Sequence, residues 1–562
     1  MPQKLIECVP NFSEGRDMNI IKQITDQIET VEGVQLLDVD PGKATNRTVV
    51  TFVGTPDQVV EAAFFAIKKA SELIDMSKHS GEHPRMGATD VCPLIPVSGI
   101  SMEETAEYSK KLAKRVGEEL GIPTYLYEYA ASAPYRKNLA SIRAGEYEGL
   151  AKKIIDPKWK PDYGPATFNV KSGATVIGAR DFLIAYNVNL NTTSTRRANS
   201  IAFDVRERGR VKREGNTVNG KIIKDEKGEA VYIPGTLKYV KAIGWFIEEY
   251  GIAQISMNLT NINATPIHIA FEEVCKKAND RGIRVTGSEL VGLIPLKSML
   301  DAGKFFLKKQ KRSTGVSEKE IIKIAIKSLG LDELGPFDAD KKIIEYVLRK
   351  KTGKELAEMS LIRFADETAA ESPAPGGGSI AAYMGSLGAA LGTMVANLSS
   401  HKRGWDDKWE EFSDWAEKGQ VLKDKLLRLV DKDTNAFNQI MNAYQLPNSS
   451  DADKTARKKA ITDATKYAIE IPYQVMEASF NSMSLIKKMA EIGLPSSVSD
   501  AGVGALCARS AVYGAYLNVK INLRDLDDAA FKENMTTKAE NLLKKALEEE
   551  KIILDMVRNK IG

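Results

Sequence analysis

Hydrophobic positions follow two different periods in the first half of the chain and a single period in the second half. In the first 150 residues, short stretches of period-two alternation, such as residues 5–10 and 47–53, are separated by stretches of helical period, such as residues 17–29 and 56–74. This alternation is typical of an open sheet with helices packed on it. The pattern therefore predicts an α/β (α+β) subdomain whose element order fits the ferredoxin-like β-α-β-β-α-β type.

A second unit of similar plan begins at about residue 181. Strand patterns flank helical patterns at residues 196–206 and 266–279, and a polar region with Asn-Gly and Lys-Gly pairs follows the first of these helices. Such pairs favour tight hairpin turns. We expect another α/β, ferredoxin-like subdomain in which residues 214–235 form an exposed hairpin insertion.

Beyond about residue 313 the strand pattern stops and helical periodicity dominates. The long helices are predicted at residues 380–398, 406–429, 433–444, 452–488, 503–519 and 528–560. A series of long helices with short connections is typical of a bundle. The predicted protein is multidomain, with two α/β subdomains followed by an all-α helical bundle. Its predicted parts are residues 1–180, residues 181–330, a helical linker at 331–356, and residues 357–562.

Composition and charge narrow the classes of function. The 562 residues carry a net charge of +4, which creates no overall field to attract nucleic acid or an anionic membrane. Four widely spaced cysteines without a CxxC pair fit a reducing compartment, so we expect a cytoplasmic protein. Residues 372–400 lack charged side chains but are rich in Gly, Ala and Ser, which favours a buried helix over a membrane span.

The first candidate for catalysis is a polar loop, SKHSGEHPRMG, between a predicted helix and a predicted strand. It holds His79 and His83, two of the four histidines in the chain. The HxxxH spacing would suit zinc on a helix, but Gly81 and Pro84 interrupt any helix and no third ligand is near, so we expect no metal. Acid–base catalysis by His83 is the favoured interpretation, because an imidazole titrates near neutral pH.

Two aspartates form a second candidate. Asp38 and Asp40 lie at the end of a predicted strand, and their spacing places both on the same face. A carboxylate there can orient an imidazole or bind a substrate ammonium group. It can equally cap the turn that begins at Pro41, so the sequence leaves both interpretations open.

The helical half contains three further polar features. SPAPGGGS, residues 372–379, opens a helix whose backbone N–H groups could face an anion or a ligand edge. Asp431 and Asp433 lie between two predicted helices, where Asp433 is a natural N-cap and Asp431 has no evident structural use. Asn518 and Asn522 lie one helical turn apart and are predicted to form an interhelical polar pair.

Several long motifs resemble those of known folate enzymes. The first half is similar to glutamate formiminotransferase in ECVPNFSEG (residues 7–15), LLDVD (36–40), TNRTV (45–49), GEHPRMGATDVCP (81–93), IRAGEYEGL (142–150) and PDYGP (161–165). The second half resembles formiminotetrahydrofolate cyclodeaminase in APGGGS, LVDKDTNAF and GAYLNVKINLRD. Both halves, in this order, are identified as the bifunctional formimidoyltransferase-cyclodeaminase family over nearly the whole chain.

The resemblance implies roles for individual residues. It makes His83 the catalytic histidine of the transferase and Asp40 its strand-end partner. The acid–base group of the cyclodeaminase is implied to be Asp431 or Asp433, with Asp431 favoured. The folate-contacting stretch corresponds to Gly164, Pro165, Ala166, Thr167, Phe168, Asn169, Val170, Lys171, Ser172 and Gly173. In the helical half, the expected substrate-binding residues are Gly376, Gly377, Gly378, Ser379, Asn518 and Asn522.

The implied activity has two steps. A formimino group passes from N-formimino-L-glutamate to tetrahydrofolate, and 5-formiminotetrahydrofolate then cyclises to 5,10-methenyltetrahydrofolate with release of ammonia, as in histidine degradation. The resemblance implies a polyglutamylated tetrahydrofolate co-substrate and a homo-oligomer. The near-balanced charge predicts neither nucleic acid nor membrane as partner. Two other interpretations stay open: a glutamate formyltransferase fused to a methenyltetrahydrofolate cyclohydrolase, and a non-catalytic folate-binding scaffold.

Overall fold

The computed structural model describes residues 4–216, 220–348, 355–372, 374–524 and 526–562. The chain forms two compact units. The first unit combines Met1–Gly303 with Ile322–Lys350, and the second combines Lys304–Ile321 with Lys351–Gly562. All described strands belong to the first unit and the longest helices to the second. The predicted order of an α/β region followed by a helical region is therefore confirmed.

Seven strands form the first sheet. They are β1 (Leu5–Cys8), β2 (Asn11–Phe12), β3 (Gln35–Gly42), β4 (Arg47–Gly54), β5 (Thr89–Ser98), β6 (Thr124–Glu128) and β7 (Thr175–Ala179). The strand order is β3-β4-β1-β5-β7-β6, and the short β2 continues the position of β1 between β4 and β5. The pairs β5–β7 and β6–β7 are parallel, and the other pairs are antiparallel.

Helices cover this sheet and begin where local capping chemistry allows. They are α1 (Met18–Glu29), α2 (Pro56–Leu73), α3 (Met102–Leu120), α4 (Leu139–Arg143) and α5 (Glu146–Lys153). At the start of α1 the Asp17 carboxylate accepts backbone N–H bonds, and Ser101 and Glu104 form a reciprocal capping box at α3. The apolar faces of α1, α2 and α3 share one core with the sheet, which includes Ile24, Phe52, Val60, Ile67, Leu94 and Leu112.

A second sheet follows in the same unit. Its region contains β8 (Ile184–Leu190), α6 (Thr195–Val205), β9 (Arg210–Val211), β10 (Tyr232–Ile233), β11 (Val240–Ile247), β12 (Ile252–Leu259), α7 (Ile267–Asn279) and β13 (Val285–Val291). The four-stranded order is β11-β12-β8-β13, entirely antiparallel. β9 pairs with β10 at the base of the predicted insertion, whose residues 217–219 lie outside the described residues.

Four helices follow the second sheet: α8 (Leu296–Lys309), α9 (Glu318–Leu329), α10 (Ala339–Lys342) and α11 (Ile344–Leu348). The loop between α8 and α9 packs within the second unit, where the Thr314 N–H donates to Ser413 Oγ at 2.9 Å. Residues 349–354, part of the predicted linker, lie outside the described residues.

The second unit is a helical bundle. Its helices are α12 (Leu361–Thr368), α13 (Gly377–Ser400), α14 (Trp409–Tyr444), α15 (Asp451–Ile492), α16 (Val498–Arg524) and α17 (Ala529–Ile561). Small side chains dominate the core where α13 meets α16, and include Ala381, Ala382, Ala389, Ala505, Ala508 and Ala515. Since interaxial distance depends on the side chains at the contact, these alanines allow the helices to pack closely.

α14 corrects one prediction. It is a single helix of 36 residues, so the predicted break between residues 429 and 433, with Asp433 as an N-cap, is wrong. The intervening residues include no Gly or Pro, and Val430 and Ala436 are both buried in the core. Packing therefore continues across the predicted junction. An aspartate is tolerated inside a helix when its side chain bonds to another segment instead of its own backbone.

α13 is the one described helix that is long and apolar enough to cross a membrane by length and composition alone. However, 61% of its most apolar window is buried inside the second unit. A core helix of a bundle meets the same criteria, because it is apolar around most of its circumference.

Candidate functional sites

The His83 loop is held in place by the turn between β3 and β4. Asn46 Nδ2 donates to the Ser80 carbonyl at 3.0 Å, and the Glu82 N–H donates to the Ala44 carbonyl at 3.3 Å. A Cβ on Gly81 would collide with the Thr45 carbonyl, so only glycine permits this approach. Two motifs that are far apart in sequence, TNRT and GEHPRMG, thereby become neighbours.

The His83 ring is half-buried, and its Nδ1 lies 2.7 Å from the Pro84 carbonyl oxygen. A carbonyl oxygen only accepts hydrogen bonds, so in this bond Nδ1 carries the proton. In the neutral ring, Nε2 then has a lone pair that can accept a proton. The loop itself therefore selects a tautomer suited to general-base chemistry.

A buried charge cluster lies beside His83. The Asp90 carboxylate, at the start of β5, is fully buried and bonds to Arg47 Nη1 at 2.5 Å and to Arg143 Nη2 at 2.6 Å. It also accepts the Met86 N–H at 2.9 Å. Two guanidinium groups on one carboxylate leave an excess of one positive charge. We call Arg47, Asp90 and Arg143 the arginine cluster.

The arginine cluster sets the protonation states around it. Burial alone would raise the pKa of Asp90, but Arg143 and Arg47 hold that pKa at about 2. Burial lowers the pKa of His83, and the charges of Arg47 and Arg143 lower it further, to about 3. His83 is therefore a neutral imidazole at pH 7 in this state of the protein.

His79 belongs to a different network. Its Nε2 lies 2.9 Å from the Asn46 carbonyl, and its Nδ1 accepts a bond from Arg85 Nε at 3.2 Å. Arg85 in turn forms a two-pronged ion pair with Glu148. An open cavity of about 490 Å³ lies here, lined by His79, Ser80, Gly81, Arg85, Gly145, Glu146 and Glu148. Both ring nitrogens of His79 are occupied, which indicates a structural role.

Asp40 lies elsewhere in the first unit. β3 and β4 pair Asp38 with Thr51 and Asp40 with Val49, so the two aspartates share a face, as predicted. The Gly292 N–H donates to Asp40 Oδ2 at 2.8 Å, and Lys342 Nζ lies 3.6 Å away. Asp40 and His83 share no hydrogen bond in the described part of the chain, and the Nδ1 partner of His83 is Pro84.

The predicted folate-contacting stretch, residues 164–173, runs beside the His83 loop. The Ala88 N–H donates to the Ser172 carbonyl at 2.8 Å, and the Ala174 N–H donates to the Met86 carbonyl at 3.1 Å. Gly173 has a positive φ and packs so closely on Met86 that a Cβ would collide. The structure therefore brings this stretch next to the segment that follows His83.

A second site lies at the start of α13. Asp433 Oδ2 accepts a hydrogen bond from Ser379 Oγ at 3.1 Å, and the carboxylate also accepts one from the Ser379 backbone. A Cβ on Gly378 would collide with the Asp433 carboxylate. On the other side, a Cβ on Gly377 would lie 3.5 Å from Asn518 Nδ2. The glycine-rich helix start, Asp433 and Asn518 thus form one cluster.

The two candidate aspartates of α14 have different surroundings. Burial raises the pKa of Asp433, which has no cation among its described bonds. Asp431 accepts the Leu356 N–H at 2.7 Å and a second backbone bond from Ala357, so it caps a 3₁₀ turn. Burial raises the pKa of Asp431 as well, so the hydrogen-bond partners and not the pKa shifts distinguish the two aspartates. Asp431 therefore has the structural use that the sequence did not reveal.

Asn522 also has a structural explanation. Pro472 lies inside α15 and lacks an N–H, so the carbonyl of Ala468, four residues earlier, loses its helical donor. Asn522 Nδ2 donates to that carbonyl at 2.8 Å. Asn518 Nδ2 instead donates to Gly514 in its own helix, leaving its amide oxygen near Gly377. The predicted polar pair thus divides into one interhelical bond and one residue of the second site.

Known families cover the chain in three blocks. The N-terminal subdomain of the formiminotransferase domain matches residues 5–180, the formiminotransferase domain matches 185–349, and formiminotransferase-cyclodeaminase matches 360–541. A formimidoyltransferase-cyclodeaminase of Dictyostelium discoideum is 44% identical over 559 residues, which are 99% of each chain. The chain belongs to the formimidoyltransferase-cyclodeaminase family. The resemblance inferred from the motifs is confirmed.

Other relatives match only one half of this chain. A glutamate formimidoyltransferase of Thermoplasma acidophilum is 45% identical over 305 residues, 54% of this chain and 92% of that protein. A methenyltetrahydrofolate cyclohydrolase of Methylorubrum extorquens is 35% identical over 199 residues, 35% of this chain and 96% of that protein. A solved formiminotetrahydrofolate cyclodeaminase of Thermotoga maritima, 28% identical, covers 37% of this chain and all of its own, with a TM-score of 0.34.

All three residues of the arginine cluster lie within the motifs that carry the family resemblance, although the sequence by itself did not single out any of them. Arg47 lies in TNRT, Asp90 in GATDVCP and Arg143 in IRAGEYEGL. A charged residue inside each motif was the available signal. Among the described residues, no group of three His, Cys, Asp or Glu side chains could hold a metal ion.

Proposed function

We propose that this protein transfers the formimino group of N-formimino-L-glutamate to tetrahydrofolate and then cyclises 5-formiminotetrahydrofolate to 5,10-methenyltetrahydrofolate, releasing ammonia. Full-length similarity to bifunctional formimidoyltransferase-cyclodeaminases supports both activities in one chain. The single structural observation that carries the proposal is the neutral His83, with Nε2 available, beside the buried arginine cluster.

The first step requires a proton to move between two nitrogens. N5 of tetrahydrofolate forms a bond to the formimino carbon, and the carbon–nitrogen bond to glutamate then breaks. His83 Nε2 accepts the proton that N5 loses and returns it to the departing glutamate nitrogen, so no proton is gained or lost overall. The Nδ1 bond to Pro84 holds the ring in the tautomer that this transfer needs.

We propose a different role for Asp40 from the one that the resemblance implies. Its bond to Gly292 and its proximity to Lys342 fasten β3 to the region around β13 within the first unit. It would then position the substrate-binding surface rather than orient His83. The stretch Gly164–Gly173, adjacent to Met86 and Ala88, is proposed to contact the folate.

The second step takes place in the bundle. N10 attacks the same carbon and loses a proton, while the formimino nitrogen gains that proton and one more from solvent and leaves as ammonia. The positive charge of the methenyl product balances the proton taken from solvent. A carboxylate whose pKa is raised by burial can accept one proton and return it, and Asp433 fits this description. Gly378 and Ser379 contact Asp433, and Gly377 lies beside Asn518. These residues, together with Gly376, are proposed to bind the substrate.

A second candidate function applies to the bundle alone. Its similarity to a methenyltetrahydrofolate cyclohydrolase favours hydrolysis of the methenyl bridge by the same carboxylate. The two chemistries differ in their products, because only formimino chemistry releases ammonia. Cyclisation with ammonia release remains the principal proposal, since the full-length relatives carry the cyclodeaminase name.

The deciding experiment mixes the purified protein with N-formimino-L-glutamate and tetrahydrofolate and follows methenyltetrahydrofolate absorbance together with ammonia. We expect both to rise in equal amounts. In a parallel reaction, N-formyl-L-glutamate replaces N-formimino-L-glutamate. If only this donor yields methenyltetrahydrofolate, and without ammonia, formyl chemistry replaces formimino chemistry. If neither product forms while tetrahydrofolate binds, the protein is a folate-binding scaffold.

We further propose a homo-oligomer, a cytoplasmic location and a polyglutamylated co-substrate. A stripe of exposed apolar side chains along α16 supports oligomer formation: Val503, Leu506, Tyr513, Leu517 and Ile521. Free cysteines support a reducing compartment. The element order β8-α6-β11-β12-α7-β13 supports assignment of the second sheet to the ferredoxin-like type.

A further inference from the structure

The arginine cluster holds more hydrogen-bond donors than its own contacts use. Arg47 donates hydrogen bonds from Nη1 to Asp90 and from Nε to Asn11 Oδ1. Its Nη2 forms no hydrogen bond with the described part of the chain. Arg143 gives Nη2 to Asp90, while its buried Nε has no partner. Both side chains are largely buried, at 8% and 14% exposure. The buried Arg143 Nε without a partner calls for an explanation, and a bound anion that also accepts from Arg47 Nη2 supplies one.

The chemistry of these donors selects the kind of anion. A guanidinium group is permanently charged, donates hydrogen bonds without accepting them, and matches the planar geometry of a carboxylate. Asp90 balances one of the two positive charges, so the cluster retains one charge for a ligand. A single carboxylate would therefore neutralise it.

The reaction offers two sources of carboxylates. In tetrahydrofolate, the glutamate tail is separated from N5 by the aminobenzoyl group. In N-formimino-L-glutamate, both carboxylates belong to the residue whose nitrogen is the leaving group. A carboxylate receptor next to the acid–base histidine therefore fits the donor substrate better than the folate tail.

We infer that Arg47 and Arg143, held together by Asp90, bind a carboxylate of the glutamate moiety of the donor beside His83. This inference rests on the proposed transferase function and adds the residues that would select its donor. No residue of the cluster belongs to the folate-contacting stretch. Arg47 lies on β4, Asp90 on β5 and Arg143 on α4, so the receptor needs all three elements in place.

Occupancy of this receptor also changes His83. The charged groups that face its ring are Arg47 from β4, Arg143 from α4 and Asp90 from β5. A bound carboxylate offsets the remaining positive charge of the cluster and thereby raises the pKa of His83 above its value of about 3 in the free protein. The imidazole becomes a stronger base only when the donor is present, which favours proton abstraction in the complete complex.

The test compares three donors: N-formimino-L-glutamate and its two amides, in which either the α- or the γ-carboxylate is replaced. Loss of one partner of a buried charge pair typically reduces affinity by about 30-fold or more. We expect wild-type kcat/KM to fall by about this factor for one amide. Arg143→Gln should lose most of that discrimination, while its KM for tetrahydrofolate stays within about threefold. Unchanged discrimination in the variant would overturn the inference.

Arg281→Gln is a matched control. Arg281 and Arg210 share Asp204 in the second sheet region, the same arrangement of two arginines on one aspartate, away from His83. This variant should keep the donor discrimination of the wild type. Both variants should also cyclise supplied 5-formiminotetrahydrofolate at the wild-type rate. Wild-type protein that transfers from none of the donors would refute the proposed function instead, whereas transfer without discrimination would refute only the receptor.

A measurement on the wild-type protein does not depend on how a substitution in the arginine cluster affects folding. The protein has four histidines, so isotope-labelled His83 can be assigned by comparison with His83→Gln. Its pKa is measured by NMR titration with and without glutamate, the product that retains both carboxylates. We expect glutamate to raise the pKa by at least one unit. A pKa that glutamate leaves unchanged would contradict the receptor.

Discussion

The imidazole of His83 and the carboxylate of Asp433 have opposite pKa shifts, and both shifts follow from burial. Burial disfavours the charged form, so it lowers the pKa of a histidine and raises that of an aspartate. Each group is then neutral more often than its ordinary value would allow. Neutral groups in partly desolvated sites are suited to pass protons between nitrogens.

His83→Ala tests the first group. Loss of a general base typically reduces the rate by about 10²- to 10⁴-fold, so transfer from N-formimino-L-glutamate should fall by that factor. Cyclisation of supplied 5-formiminotetrahydrofolate should remain. Stopped assays of each half-reaction provide the measurement, with the exposed His401→Gln as control. Equal loss of both activities would contradict two separate sites.

Asp433→Asn and Asp431→Asn distinguish the two aspartates of α14. Because Asp433 contacts the glycine-rich helix start, its variant should lose cyclisation by at least about 100-fold and keep transfer. Asp431 caps the turn at Leu356, so its variant should cost about 1 kcal/mol of stability and retain cyclisation. Cyclisation kinetics and thermal unfolding of both variants distinguish the two roles. The reverse result would restore Asp431 as the acid–base group.

The start of α13 shows how helix geometry creates a site. Glycine at two successive positions lets other helices approach the N–H groups of its first turn. One neighbour is a carboxylate of α14, and the other is an amide of α16. Each helix alone would be an ordinary bundle element, so the site exists only where the three meet.

Gly378→Ala should disrupt this arrangement, because the new methyl group would occupy the space of the Asp433 carboxylate. We expect at least a tenfold loss of cyclisation with transfer unchanged. Gly377→Ala is the matched control, since its Cβ would meet Asn518 Nδ2 at an ordinary contact distance of 3.5 Å. The cyclisation rates of both variants are measured on supplied 5-formiminotetrahydrofolate. Equal effects of the two substitutions would show that glycine is needed here for another reason.

α15 and α16 are joined by a bond that compensates for a proline. Asn522→Ala leaves the Ala468 carbonyl buried without a donor, which costs about 1–3 kcal/mol. Pro472→Ala returns the helical N–H, so the Asn522 substitution should cost less in that background. Denaturant unfolding of the two single variants and the double variant measures this coupling. Additive effects would indicate that Asn522 acts elsewhere.

Two groups with shifted pKa values, His83 and Glu7, make the stability of the first unit depend on pH. The pKa of His83 is about 3 in the folded protein and about 6.5 when unfolded, so its protonation favours unfolding as the pH falls from about 6.5 towards 3. Burial raises the pKa of Glu7 to about 7, which has the opposite sign because its stability cost grows between about pH 4.5 and 7.

Because these two effects oppose each other, the informative quantity is a difference between proteins. Relative to wild type, His83→Gln should become progressively more stable as the pH falls from 7 to 4. Calorimetric melting temperatures at matched ionic strength provide the comparison. A difference that is independent of pH would mean that His83 titrates normally.

Local chemistry accounts for most helices and strands. The strand β4 and the helix α2 were predicted within two residues, because alternation, a capping box and Pro56 are encoded by neighbouring residues. The predicted break in α14 failed because two nearby aspartates look like a helix start in sequence. Whether such a side chain caps its own helix depends on what lies opposite, here α13 and the turn at Leu356.

The order of the domains, the family and the residue types needed for its chemistry could be read from the chain before any coordinates, since period and motifs are properties of adjacent residues. His83 was proposed as the catalytic histidine in this way. The arginine cluster and the choice of Asp433 could not be, because Arg47 and Asp90 are 43 residues apart, and Ser379 and Asp433 are 54 apart. Which charges become neighbours, and which are buried, is decided by packing, and burial in turn sets their pKa values.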